Sequence, residues 1–159
     1  MVALLRAVRL RALLLFLLAF GLGVLSTCTA ASSSASAQSS PKSFSGISTG
    51  ATPEGFRYMS GGIGLEEREI MESWGADYNV KLAFAELSGN YVSDVKVVME
   101  DQNGKDIISA TTNGPWLYVR LPPGTYNVKA TFEGEIKEIR DLRLSEGDRV
   151  LRYLHWEID

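Results

Sequence analysis

The sequence predicts an all-β domain, a seven-stranded antiparallel β-sandwich preceded by one short N-terminal helix. Three observations carry this reading. From Tyr78 onward, apolar residues recur at every second position. Turn signals built from Asn, Gly, Pro and Asp interrupt that pattern at short intervals, as in sandwich domains. A helical period occurs in one run only, LEEREIMESWG, from Leu65 to Gly75.

The first segment is read as a targeting signal. Arg6, Arg9 and Arg11 precede the apolar run ALLLFLLAFGLGVL, and small residues follow it. Basic, apolar, small is the order of a secretory signal. The run is shorter than the roughly 20 residues of a membrane span, so an uncleaved anchor is the lesser reading. Ala35-Ser36-Ala37 offers an A-x-A cleavage form, and Cys28-Thr29-Ala30 offers another. Leu25-Ser26-Thr27-Cys28 resembles the lipobox of bacterial lipoproteins, departing from it at Thr27, which makes Cys28 a lipidation candidate. The expected location is exported, periplasmic or secreted, with a membrane-anchored lipoprotein as the alternative.

Removing the three signal arginines leaves 13 basic against 19 acidic side chains, a net charge of −6. Nucleic-acid binding needs a basic footprint, so that partner class is excluded. Membrane contact is expected only through an uncleaved or lipidated N-terminus. Cys28 is the only cysteine, so the exported domain has no disulfide to support its core.

Composition then divides the chain: a signal over 1–37, a flexible Ser/Gly/Pro-rich linker over 38–60, a short helical segment over 61–77 and the β-domain over 78–159. In the helical segment Ile70, Met71 and Trp74 form a narrow apolar stripe, and Glu66, Glu67, Glu69 and Glu72 lie mostly off it. Early acids favour a helix start, and Gly75 suits a left-handed stop. Strands follow over Tyr78–Phe84, Val95–Met99 and Ile107–Thr111, with Asn103-Gly104 turning the second into the third. Two more flank the corner at Pro122-Pro123-Gly124, and the last two cover Ile136–Leu144 and Arg149–Trp156. Ile136, Ile139, Leu142 and Leu144 break strict alternation, which predicts a bulge near Arg140-Asp141.

The corner has a physical logic. Prolines cannot donate to a ladder, so pairing stops at Pro122. Pro123-Gly124 then reverses the chain, with positive φ expected at Gly124. Tyr126, Val128, Ala130 and Phe132 form one face of the strand that follows, the signature of a half-buried antiparallel strand.

Leu121-Pro122-Pro123-Gly124-Thr125-Tyr126 with Val128 resembles the L-P-P-G-x-Y-x-V signature of carboxypeptidase regulatory-like domains. These are transthyretin-like or Cna-B-like sandwiches, Ig-like in outline and grouped with carbohydrate-binding-like folds. The resemblance spans about Tyr78 to Trp156 and implies a non-catalytic exported module. Transthyretin-like hydrolases use several histidines and a Tyr-Arg-Gly-Ser terminus. This chain has one histidine, His155, and ends Leu154-His155-Trp156-Glu157-Ile158-Asp159.

No catalytic set, metal site or cofactor is expected. A lone His155 reads as a strand residue, and the helical acids read as a solvated face. Asp101–Asp106 reads as a turn rather than a calcium loop. Gly61-Gly62-Ile63-Gly64 lacks the lysine of a phosphate loop and reads as a joint. The candidate ligand residues are Trp116, Tyr118, Arg120 and Trp74. Direct alternation turns Leu117, Val119 and Leu121 inward and aligns Trp116, Tyr118 and Arg120 outside. There the aromatics either lie beneath the short helix or form an open platform for an envelope glycan or protein. The family pattern offers a third arrangement, with both aromatics inward and a bulge before Leu121. The expected function is a non-enzymatic binding module of the cell envelope; the alternative is a lipid-anchored assembly factor acting through protein contacts.

Overall fold

The computed structural model describes residues 44–157. The signal segment, Cys28 and the first part of the expected linker, 38–43, lie outside the described residues. The described elements are β1 (Ser48–Ala51), β2 (Arg57–Gly61), α1 (Leu65–Trp74), a 3₁₀ turn (Gly75–Asp77), β3 (Val80–Glu86), β4 (Lys96–Asp101), β5 (Asp106–Thr111), β6 (Trp116–Arg120), β7 (Gly124–Phe132), β8 (Glu135–Leu144) and β9 (Val150–Trp156). The fold is all-β with one short α-helix, as expected. Among the described residues no helix is long and apolar enough to cross a membrane.

The strands make two sheets. One has the order β1-β2-β6-β3-β9, the other β5-β4-β7-β8. They share one apolar core. Phe84, Leu117 and Trp156 enter it from the first sheet; Met99, Val128 and Leu142 enter from the second. Each such side chain contributes about 1.5–3 kcal/mol on burial. The Trp156 indole N–H donates to the Glu135 carbonyl at 3.2 Å, tying β9 to the start of β8.

Three expectations need correction here. The described strands number nine, not seven. The two additional strands, β1 and β2, fall in the stretch expected to be a linker. Small residues there serve close packing rather than flexibility: a Cβ on Gly61 would meet the Gly46 carbonyl at 2.9 Å and the Met71 sulfur at 3.2 Å. Nor is the fold wholly antiparallel, because β9 runs parallel to β3 from Val80↔Val150 to Glu86↔Trp156. The chain reaches β9 from β8, in the other sheet, so no hairpin dictates its direction.

Two glycine readings also change. Gly75 has φ −57, a right-handed value, and the chain continues into the 3₁₀ turn. Glycine is required because a Cβ would lie 2.8 Å from the Tyr118 ring. Gly124 is not among the residues with positive φ. It opens β7 opposite Leu144, and a Cβ would stand 3.0 Å from the Tyr126 hydroxyl. That hydroxyl donates to the Pro122 carbonyl at 2.9 Å, so tyrosine and glycine close the corner together.

Other local readings hold. β7 and β8 slip register between Tyr126↔Leu142 and Val128↔Ile139. Asp141 there takes φ +53, and its N–H donates to the Asn127 side-chain oxygen at 3.1 Å. This is the bulge that rescues the apolar phase of Leu142 and Leu144. In the β4–β5 turn, Gly104 has φ +76 and one Asp101 carboxylate oxygen accepts the Asn103 and Lys105 N–H groups. Those backbone donors, Lys105 first, hold the Asp101 carboxyl below its ordinary pKa.

Candidate functional site

The five-stranded sheet has an outer face, away from the shared core. Along β3 that face carries Lys81, Ala83 and Ala85, because Val80, Leu82 and Phe84 point into the core. Register then sets three rows across the sheet. Lys81 lies between Tyr118 of β6 and Leu151 of β9. Ala83 lies between Trp116 and Tyr153. Ala85 lies between Tyr91, held by an isolated bridge, and His155. The small residues of β3 thus form a lane between two ridges that carry aromatic rings.

The β6 ridge is covered. Trp116 is 8% exposed and Tyr118 is 7% exposed, packed with Ile47, Met59 and Met71. Ile70, Trp74 and Tyr78 close over this second cluster. Direct alternation is therefore the arrangement present, with Leu117, Val119 and Leu121 in the shared core. The helix reading holds for Trp116 and Tyr118; Trp74 is half-buried beside them as part of the cover. Arg120, the fourth candidate, is exposed at the strand end and is not brought into the aromatic cluster.

The cover is anchored by charge. One Glu67 carboxylate oxygen accepts the Gly62 and Ile63 N–H groups at 3.0 and 3.1 Å, fixing the glycine joint to the first turn of α1. Glu72 pairs with Lys81 at 3.6 Å. The Lys81 ammonium sits 3.4 Å from the Trp116 ring centroid and 5.1 Å from that of Tyr118, a cation–π contact beneath the helix. Burial lowers the Lys81 pKa from its ordinary value, opposed by Glu72. Burial pushes the Tyr118 phenol up to about 12, reinforced by the Glu72 charge. Burial also raises the Tyr78 phenol, with Arg57 opposing.

The β9 ridge is open. Tyr153 is 59% exposed and Leu151 is 43% exposed. Tyr153 and His155 stack with centroids 6.1 Å apart and planes 18° apart. Across the lane Tyr91 is 51% exposed, with the Arg68 guanidinium 5.4 Å from its ring centroid. At the lower end of the lane a cavity of about 200 Å³ is lined by Tyr78, Lys81, Tyr118, Arg149 and Leu151. Sequence reasoning placed His155 correctly on a strand but missed the ring pair. β9 is apolar on both faces, so alternation alone does not show which set is the open one.

The arrangement offers ring faces, a guanidinium and an imidazole beside two alanines, Ala83 and Ala85, that are themselves buried. Such a surface can stack and hydrogen-bond a ligand. Compared with known proteins, the chain matches no family model and no curated sequence.

Proposed function

We propose that the chain is a non-enzymatic, exported binding module of the cell envelope, an Ig-like or transthyretin-like sandwich of the carboxypeptidase regulatory-like kind, which holds a glycan on the β9 side of its outer lane. The single observation that carries the reading is the stacked, exposed Tyr153–His155 pair facing Tyr91 across Ala85. Sugar rings present flat C–H faces that match aromatic side chains, and Arg68 supplies hydrogen-bond donors beside them. The basic-apolar-small N-terminus and the corner signature supply the export and family parts of the proposal.

A glycan microarray probed with the exported protein tests it. Retention on envelope saccharides that Tyr153→Ala and His155→Ala each abolish is the expected result. Retention that survives both substitutions, or no retention on any glycan, overturns the lane as a sugar site. Mass spectrometry of the protein from cells tests export: loss of residues 1–37 is expected, and an intact Met1 overturns it. A lipid mass on Cys28 favours the second reading, a lipid-anchored assembly factor acting through protein contacts. The exposed Ile63 and Leu65 at the start of α1 give that reading a separate apolar surface.

A further inference from the structure

We propose that Arg57, Arg120 and Arg149 form a row of oxyanion seats, and that the glycan held by this module is a linear acidic one whose charged groups lie along that row. The inference rests on the glycan reading and adds the charge class of the ligand.

The row follows from register. Arg57 of β2 stands directly opposite Arg120 of β6. The Asn79 N–H bonds the Val119 carbonyl, and the Val150 N–H bonds the Asn79 carbonyl. Asn79 therefore bridges β6 to the start of β9, and Arg149 lies on its far side. Adjacent strands are about 4.8 Å apart, so the three arginines recur at about 5 and 10 Å along one line. All three side chains belong to the outer face. Arg57 is two residues from Met59 and Arg120 two from Tyr118, both in the cluster beneath α1. The Arg57 guanidinium lies 5.9 Å from the Tyr78 ring centroid. Arg149 donates to the Ala76 carbonyl at 2.9 Å, on the 3₁₀ turn that follows α1.

All three arginines are exposed, and among the described residues none forms an ion pair with an acid. Two of the nearest acids are otherwise engaged. Glu54 pairs with Lys105 at 3.0 Å, and Asp148 accepts the Ser145 N–H at 2.7 Å. Asp77 and Glu146 flank the row without an ion pair. Asn79 separates the arginines without serving them: its side chain both donates to and accepts from the Leu121 backbone. Like charges placed directly across two strands destabilise the pair. Among the described residues Arg68, Lys96, Arg143 and Arg152 also lack an ion pair, but Arg57, Arg120 and Arg149 are brought onto one line, with Arg57 and Arg120 facing each other at a cost in stability.

Guanidinium groups match carboxylate and phosphate oxygens in fixed, bidentate geometry. A row of three suits a polymer with repeated oxyanions better than a single small ion. Arg120 and Arg149 also line a cleft of about 610 Å³ at this end of the sheet, together with Phe56, Leu121 and the acids Glu54, Glu146 and Asp148. Arg149 joins that cleft to the smaller cavity holding Lys81, Tyr118 and Leu151. The row runs across the strands at the level of Asn79 and the lane runs along β3, so a sugar chain seated on the row meets the lane at its Lys81 end.

Affinity electrophoresis of the full chain, in gels containing polygalacturonate or neutral dextran, reads the inference directly. Retardation by polygalacturonate is expected, weakening steeply as salt rises. Arg120→Gln should lower that affinity about tenfold, the scale of one lost charge-assisted bond. The triple variant with Arg57→Gln and Arg149→Gln should abolish it. Lys96→Gln, at an exposed cation on β4 of the other sheet, should leave it unchanged. Melting temperature separates this from misfolding: Arg57→Gln should melt no lower than the parent, because it relieves a like-charge pair. Polygalacturonate retardation that the triple variant retains overturns the row. Binding to vesicles of 20% phosphatidylglycerol in phosphatidylcholine, without retardation by polygalacturonate, overturns it in favour of a lipid surface. Dextran retardation lost in Tyr153→Ala, with none by polygalacturonate, overturns the row and leaves the glycan reading standing. No retardation by either polymer overturns the row, and the array result then decides the glycan reading by itself.

Discussion

Trp116 and Tyr118 on β6, and Tyr153 and His155 on β9, occupy the same face of the same sheet. Ala83 of β3 lies directly between Trp116 and Tyr153. Yet the first pair is buried and Tyr153 is 59% exposed. Alternation decides the face a side chain takes. It does not decide what covers that face. The cover over β6 is α1, a helix too short to be stable alone, which exists because Ile70, Met71 and Trp74 find an apolar surface there. Over β9 the described residues supply no equivalent.

The largest expected effect separates the two ridges by stability. Trp116→Ala removes a buried indole and should cost about 3–5 kcal/mol. Tyr153→Ala removes an exposed ring and should stay within about 0.5 kcal/mol. Urea denaturation of the two variants measures both. Equal losses would mean that Tyr153 is covered in solution and would remove the β9 side as a ligand surface.

Met71→Ala sharpens the comparison from the side of the cover. Met71 is fully buried between α1 and the sheet, and its truncation should cost about 2–5 kcal/mol. Loosening α1 should also make Trp116 more accessible to an iodide quencher, while Trp156, in the shared core, stays protected. Unchanged quenching would show that α1 is not what shields the β6 ridge.

A third difference is electrostatic. Burial first, then the Glu72 charge, holds the Tyr118 phenol at about 12, above its ordinary value of 10. The folded state therefore retains a proton that the unfolded state has lost. This contribution is fully present below pH 10 and is lost as pH rises through about 12. It amounts to about 2–3 kcal/mol. Tyr78 is raised as well and adds a slope of the same sign. Lys81 is lowered, so its contribution is complete above 10.5, present before the loss at Tyr118 is finished. Tyr118→Phe should flatten the fall in stability between pH 10 and 12, followed by urea titration. A slope that persists unchanged in the variant would assign it to other groups.

Period-two patterning from Tyr78 made most of the sheet legible, down to the bulge at Asp141, because a lost apolar phase can be repaired in few ways. β1 and β2 were not legible. β1 is STGA and β2 ends in Ser60-Gly61, where a Cβ on Gly61 would meet the Gly46 carbonyl and the Met71 sulfur, and such small residues also compose linkers. The parallel pairing of β9 depends on a chain path between sheets, which local pattern does not encode. Gly75 and Gly124 were recognisable as necessary but for a different reason: ring and hydroxyl contacts from Tyr118 and Tyr126, not left-handed backbone. At the candidate site the covered pair was legible from the stripe on α1. The open pair was not, since Leu151 and Tyr153 look as buried in sequence as Leu154 and Trp156.

The smallest expected effect concerns the anchor of the cover. Glu67 sits at the third position of α1 and accepts two N–H groups from the joint before it, Gly62 and Ile63. Its charge also lies at the positive end of the helix dipole. Gly62 must pass against the Trp116 ring, where a Cβ would come within 3.2 Å, so the path of the joint is tightly set. Glu67→Ala leaves both N–H groups without this acceptor and frees the joint to fray. A loss of about 1 kcal/mol is expected, the usual scale of a helix cap. Hydrogen exchange should accelerate at the amides of 62–68 and remain unchanged across β9. Acceleration spread equally over both ridges would mean that the whole sheet has loosened, and that the β6 cover is not a local structure held at its own end.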